Sequence, residues 1–255
     1  MNNTKLKLLW IAVLFMGLAA CEDSTEQKIN LFMIGDSTMA NKAENRAPET
    51  GWGMIFQDFF KERLSVHNHA RNGRSSKSFI GEGLWQEVYE QLKPGDYVFI
   101  QFGHNDQKEK SPDRFTNPLT TFRANLKYYV QACREKGARP VLFTPVVRRN
   151  FNENGTLIDT HGLYPLVTRM TAGELDVPCI DLQLLTEQLV TRLGPEDSKQ
   201  LYLWLNPGEH ANYPEGSQDN THFNLNGARQ VGEMVVGELK RLHLLENYLQ
   251  EQARP

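Results

Sequence analysis

Cysteine is scarce in this chain of 255 residues, with three in all. None stands in a Cys/His cluster of zinc-binding spacing, and no EF-hand loop is present. Basic runs are missing too. Lys and Arg total 28 against 31 Asp and Glu, a formal net charge of −3 spread along the chain. That balance argues against an arginine-rich helix or a basic stripe that would track nucleic acid. No collagen, heptad or solenoid period recurs. Long apolar runs are confined to one place, "LLWIAVLFMGLAA" at residues 8–20, which is too short for a membrane span of ordinary length. The whole chain is 40% hydrophobic and 23% charged, enough to bury one sizeable core; two domains would each be small.

Lys5 and Lys7 precede the apolar run, and positive charge followed by such a core reads as a secretory leader. The run ends "LAAC", which resembles the lipobox of bacterial lipoproteins. That resemblance implies cleavage before Cys21, lipidation of its thiol, and a chain held in the cell envelope by a lipid anchor only, at the periplasmic face or the cell surface. Ordinary signal cleavage and a retained anchor helix are the alternatives. The expected organisation is a leader over 1–20, a polar tether over 21–28 and a single domain over 29–255. Cys133 falls on the apolar face of a predicted helix with Phe122, Leu126 and Val130, and Cys179 falls in a predicted strand. An exported protein can join such a pair, but two buried thiols satisfy the pattern equally, so no disulfide is assigned.

Five apolar runs of strand length are bounded by turn residues: "INLFMIG", "LSVHNHA", "DYVFIQFG", "RPVLFTPVV" and "VPCIDL". Between them lie segments of helical spacing. "GWGMIFQDFFKERL" sets Trp52, Ile55, Phe56, Phe59, Phe60 and Leu64 mostly on one face. "LWQEVYEQLKPGD" stops at Pro94-Gly95, "NPLTTFRANLKYYVQACREKGARP" stops at Gly137, and "NLNGARQVGEMVVGELKRL" closes the domain. Strands alternating with helices predict a three-layer α/β/α sandwich around a mainly parallel, five-stranded sheet. In such sheets sites form beyond the carboxyl ends of the strands. Residues 147–163 and 203–221 are rich in Gly, Asn, Pro, His and aromatics and read as long loops.

Polar residues gather at the strand ends and in one late segment. They are "GDST" after the first strand, "NHARNGRSSKSF" after the second, "FGHNDQ" after the third, and "DNTHFNLNGA" before the last helix. Acyl transfer by serine needs a hydroxyl, a histidine base, a carboxylate to orient that base, and donors aimed at the developing oxyanion. Ser37, His222, Asp219, the backbone N–H of Gly73 and the Asn105 amide can supply them. Each has a plainer reading. Ser37 suits a helix cap, Gly73 a turn, Asn105 a turn, and Asp219 a cap. In this order at successive strand ends they point together to a serine hydrolase.

The chain resembles the SGNH/GDSL hydrolases, whose Ser, Gly, Asn and His blocks appear in order as Ser37, Gly73, Asn105 and His222. More narrowly, "GDSTM", "NGRSSKSF", "QFGHNDQ", "FTPVVRRNF", "DTHGLYP", "GEHANYPEG" and "DNTHFNLNGA" resemble rhamnogalacturonan acetylesterases, over roughly residues 30 to 240. The resemblance implies a flavodoxin-like fold and Ser37 as nucleophile. It also implies His222 as base then acid, Asp219 as its orienting carboxylate, and an oxyanion hole from the Ser37 and Gly73 N–H groups with the Asn105 side chain. Thr38 departs from the leucine of the commonest GDSL pattern. No metal or organic cofactor is implied. The expected substrate is an acetylated polysaccharide, most simply pectic rhamnogalacturonan. Xylan or another glycan, a lysophospholipid or thioester, and a non-catalytic glycan-binding role are the rivals. Arg74, Arg148 and Arg149 are candidates to pair with a uronate, Trp204 and Tyr213 to stack on a sugar, and His104 to shape the site. Ordinary surface charge or packing accounts for each as well.

Overall fold

The computed structural model describes residues 28–251. The leader expected over 1–20, the lipidation site Cys21 and all but the last residue of the tether lie outside them. The strands are β1 (Ile29–Gly35), β2 (Leu64–Asn68), β3 (Tyr97–Gln101), β4 (Arg139–Phe143) and β5 (Cys179–Ile180). They form one sheet in the order β2-β1-β3-β4-β5, with every pairing parallel. Each coincides with one of the five apolar runs. The inner strands β1, β3 and β4 lack polar alternation because both sheet faces are covered there, while the edge strand β2 is only partly buried. Leu31, Met33, Phe99 and Phe143 enter one core, and their chain neighbours Phe32, Ile34, Ile100 and Leu142 enter the other.

Helices α1 (Ser76–Gly81), α2 (Leu84–Gln91), α3 (Arg123–Glu135) and α4 (Tyr164–Leu175) cover the second core, through Phe79, Trp85, Tyr129 and Val167 among others. Helices α5 (Leu182–Asp197) and α6 (Leu225–Arg241) cover the first, through Leu189, Val231 and Val235. This is the expected three-layer α/β/α arrangement. The apolar face expected on α3 is present: Leu126, Val130 and Cys133 are buried, with Phe122 from the turn before it. Cys133 and Cys179 are both free thiols, pushed up to about 12 by burial.

Three features differ from expectation. "GWGMIFQDFFKERL" is not an α-helix but a 3₁₀ helix over Trp52–Phe59, and Phe60 then bridges to Leu249. Apolar spacings of three and four fit either winding over so short a segment. Helices α4 and α5 were not singled out by the spacing. The segment 203–221 is a hairpin rather than a loop: β6 (Tyr202–Leu205) pairs antiparallel with β7 (Ser217–Phe223). The other expected loop, 147–163, holds only an isolated bridge between Phe151 and Leu157.

Candidate active site

In a sheet ordered 2-1-3-4-5 the chain leaves β1 and β3 toward opposite sides, and a crevice opens between their carboxyl ends. Ser37 follows β1 and Asn105 follows β3, so the topology delivers them to the two walls of this crevice. Glycine is needed at the end of β1, where a Cβ on Gly35 would stand 2.8 Å from the Gln101 carbonyl oxygen. The turn that follows is braced from within. Asp36 Oδ1 accepts from the Thr38 N–H at 3.0 Å and from the Thr38 hydroxyl at 2.9 Å. Gln101 Nε2 donates to Thr38 Oγ1 at 2.7 Å, and Trp52 Nε1 donates to Gln101 Oε1 at 2.9 Å. The first N–H groups of the 3₁₀ helix close the brace, Trp52 onto the Thr38 carbonyl and Gly53 onto the Met39 carbonyl. Asp36, Thr38 and Gln101 are buried, while Ser37 between them is partly exposed.

Beyond β2 the chain continues beside β1, with His69 N–H on the Met33 carbonyl and Arg71 N–H on the Gly35 carbonyl. Gly73 then turns at φ +76°, a left-handed conformation that side chains strain to adopt, although a Cβ there would meet only Arg114 Nη1, at an ordinary 3.8 Å. Ser75 caps α1 with a capping box. Asn105 Nδ2 donates to the Arg74 carbonyl at 3.0 Å, which orients the amide and leaves its second N–H for another acceptor. Asp106 accepts from the Ser76 N–H and hydroxyl and from the Thr116 hydroxyl. Residues 74–76 and 105–106 are thereby locked together.

The hairpin supplies the rest. Tyr202 pairs with Phe223 but Trp204 pairs with Gln218, so the register jumps and residues 219–222 bulge out of the ladder. Asp219 Oδ1 caps that bulge by accepting the Thr221 and His222 N–H groups at 2.7 and 3.0 Å. In a regular strand residues three apart face opposite ways; here the bulge turns both side chains to one side. Asp219 Oδ2 lies 2.7 Å from His222 Nδ1, and His222 Nε2 lies 2.9 Å from Ser37 Oγ. Burial pushes the Asp219 carboxyl up. The His222 hydrogen bond and charge, with the two backbone N–H groups, outweigh it and hold the carboxyl at about 2. An ionised carboxylate only accepts, so Nδ1 carries the imidazole proton and Nε2 presents its lone pair to the serine hydroxyl. The expectation that Asp219 and His222 lie at the end of a long loop before the last helix is corrected: the pair sits on a strand bulge, and Asn224, through its bond from the Gly227 N–H, is the cap of α6.

Residues 33–230 match the GDSL-like lipase/acylhydrolase family. The chain belongs to this family. As a GDSL-family protein it is a carboxylic ester hydrolase. It is 45% identical over 219 residues, 86% of this chain and 93% of the other, to rhamnogalacturonan acetylesterase RhgT of Bacillus subtilis (strain 168). It is 35% identical to the probable rhamnogalacturonan acetylesterase YesY of the same organism, over 84% of this chain and 94% of that one. The crystal structure of Bacillus subtilis YxiM superposes with a TM-score of 0.72 at 26% identity, covering 85% of this chain and 57% of that one.

The residues considered for sugar binding in this GDSL hydrolase take varied positions. Arg74 is solvent-facing and pairs with Glu82 at 2.7 Å. Arg148 turns onto the protein, donating to Thr160 Oγ1 at 3.0 Å and the His104 carbonyl at 3.2 Å. His104 is buried edge-on to His161, with its Nδ1 3.3 Å from His161 Nε2. Burial drives His104 well below the ordinary imidazole value, so it stays neutral. Arg149 is also buried, donating to Ser198 Oγ, to Asn220 Oδ1 and to the Pro195 carbonyl, with its guanidinium 4.8 Å from the Trp204 ring centroid. Trp204 Nε1 donates to the same Asn220 oxygen at 2.9 Å. Arg149 and Trp204 therefore anchor the hairpin rather than project from it as free surface groups. Trp204 also borders an open groove of about 570 Å³ with Lys199, Asn206 and Gln218. Tyr213 donates its hydroxyl to the Arg46 carbonyl. Among the described residues no group of three or more His, Cys, Asp or Glu is placed to hold a metal ion.

Two residues beside Ser37 escaped the sequence reading. Lys42 and Glu49 form an ion pair at 2.7 Å with both side chains 1% exposed. "NKAENRAPE" offers no signal for it, since its charges look like those of any surface loop.

Proposed function

We propose that this hydrolase is a serine carbohydrate O-acetylesterase that deacetylates pectic rhamnogalacturonan through an acyl-enzyme. The observation that carries the reading is the continuous chain from Asp219 through His222 to Ser37 Oγ, at 2.7 and 2.9 Å. Those lengths suit proton transfer from the hydroxyl to Nε2 during attack. In this mechanism Ser37 Oγ attacks the acetyl carbonyl carbon and His222 takes the hydroxyl proton. The Ser37 and Gly73 N–H groups and the Asn105 amide receive the oxyanion. As the ester bond breaks, His222 returns the proton to the departing sugar oxygen. Water, deprotonated by His222, then cleaves the acetyl–serine ester. The substrate class rests on the similarity to RhgT and YesY, and it accords with a site rimmed by polar loops.

Acetate release from acetylated rhamnogalacturonan, acetylated homogalacturonan, acetylated xylan and a lysophospholipid tests the assignment. The expected result is the highest kcat/KM on rhamnogalacturonan, with no acyl-enzyme burst in Ser37→Ala. Best activity on the lipid would overturn the substrate class. Undiminished turnover in Ser37→Ala would overturn the mechanism.

A further inference from the structure

The two backbone segments that carry the oxyanion donors run together only part of the way. Their last direct rung is the Arg71 N–H on the Gly35 carbonyl at 3.0 Å. Past it, one segment turns into Ser37 and the other into Asn72-Gly73. The Lys42 ammonium lies where the ladder stops. It donates to the Ser37 carbonyl at 2.5 Å and to Asn72 Oδ1 at 2.9 Å, and it contacts Glu49 Oε1 at 2.7 Å. An ammonium has three N–H donors, and each here has its own acceptor. Glu49 is held in turn by Arg46, whose Nε and Nη2 lie 2.9 and 2.6 Å from its other oxygen.

We infer that Lys42 is a positioning residue for ester hydrolysis, a cross-tie that sets the spacing between the Ser37 and Gly73 N–H groups of the oxyanion hole. This inference rests on the proposed serine mechanism. A buried ammonium is costly unless it is paired and fully hydrogen-bonded. Glu49 meets that requirement and leaves two donors for the segments to be joined. The tie acts on the Ser37 carbonyl and the Asn72 side chain, groups that flank the donors without taking part in the reaction. Oxyanion donors stabilise the transition state only when they are already in place, and a misplacement of about 1 Å can slow a reaction by ~10²-fold. Loss of the tie should therefore lower kcat while the KM for a small ester stays near its parent value.

The experiment measures kcat and KM on 4-nitrophenyl acetate per active site, with sites titrated by a fluorophosphonate so that unfolded protein is not counted. Lys42→Met leaves Glu49 with only Arg46, and folding can suffer. The double variant Lys42→Met/Glu49→Met removes both charges together and separates folding from positioning. Expected is a fall of about 10–10²-fold in kcat for the double variant, with KM within about twofold. A kcat per titrated site within twofold of the parent, in a folded double variant, would overturn the inference. Ser37→Ala runs alongside. If it is inactive while the double variant is unimpaired, the cross-tie alone falls. If Ser37→Ala itself remains active, the fault lies with the nucleophile.

Discussion

The Thr38 hydroxyl donates to Asp36 and accepts from Gln101, and so joins the turn that carries Ser37 to the last residue of β3. This accounts for the one departure from the common GDSL pattern. A leucine there would leave the Gln101 N–H and the Asp36 carboxylate each short of a partner. Asp36 thus braces the turn through Thr38 while Asp219 partners His222. Thr38→Val keeps the shape and removes both bonds. It should lower stability by about 1–3 kcal/mol, the usual cost of stranding buried polar groups. Urea unfolding would show a lower midpoint with an unchanged slope. A midpoint equal to that of the parent would mean the hydroxyl contributes nothing to the brace.

At the scale of elements, the hairpin of β6 and β7 is what brings His222 to the sheet. Tyr202, Leu203 and Phe223 bury its base. Its side facing the loop after β4 is fastened by Arg149, whose donors reach Asn220 on β7, Ser198 and the Pro195 carbonyl. The Arg149 N–H also donates to the Asn220 carbonyl at 2.8 Å. Asn220 lies inside the bulge between Asp219 and His222, so a shift there moves the hydrogen-bonded Asp219–His222 pair. Arg149→Met keeps much of the packing and strips the side-chain bonds. The expected outcome is a kcat reduced about tenfold or more with little change in KM for a small ester. Steady-state kinetics would check it, and a KM rise at constant kcat would instead mark Arg149 as a substrate contact.

For the molecule as a whole, the Asp219 carboxyl couples the site to acid stability. The carboxyl has its ordinary value near 3.8 when unfolded and about 2 when folded. A depressed folded value means the contribution is fully present above about pH 4 and is lost as pH falls toward 2. The thermal midpoint should drop across that window, and Asp219→Asn should flatten the drop. An equal slope in both proteins, measured by circular dichroism melts from pH 5 to 2, would show that other carboxylates govern acid unfolding. The described residues include no helix long and apolar enough to cross a membrane.

How much of this was legible beforehand depended on range along the chain. The inner strands β1, β3 and β4 were readable because a strand covered on both faces is mostly apolar, a local property of a few consecutive residues. Ser37, Asp219 and His222 were drawn from short polar blocks just after a strand or before the last helix, and the structure joins these three in one hydrogen-bonded chain. The arginines were not readable, since Arg149 owes its role to Asn220, 71 residues away, and its charge alone does not distinguish a buried bolt from a surface group. Strand β7, "SQDNTHF", hid because its polar residues form a strand by pairing with β6 rather than by burying a face. Lys42 hid for a similar reason, its Asn72 partner lying 30 positions on. The sequence by itself determined which residues could form a sheet and which chemistry stood at its ends. The tertiary structure alone decided that Ser37 and His222, 185 positions apart, lie 2.9 Å from each other, because that approach depends on the strand order, the bulge and the cross-links that only the packed chain brings together.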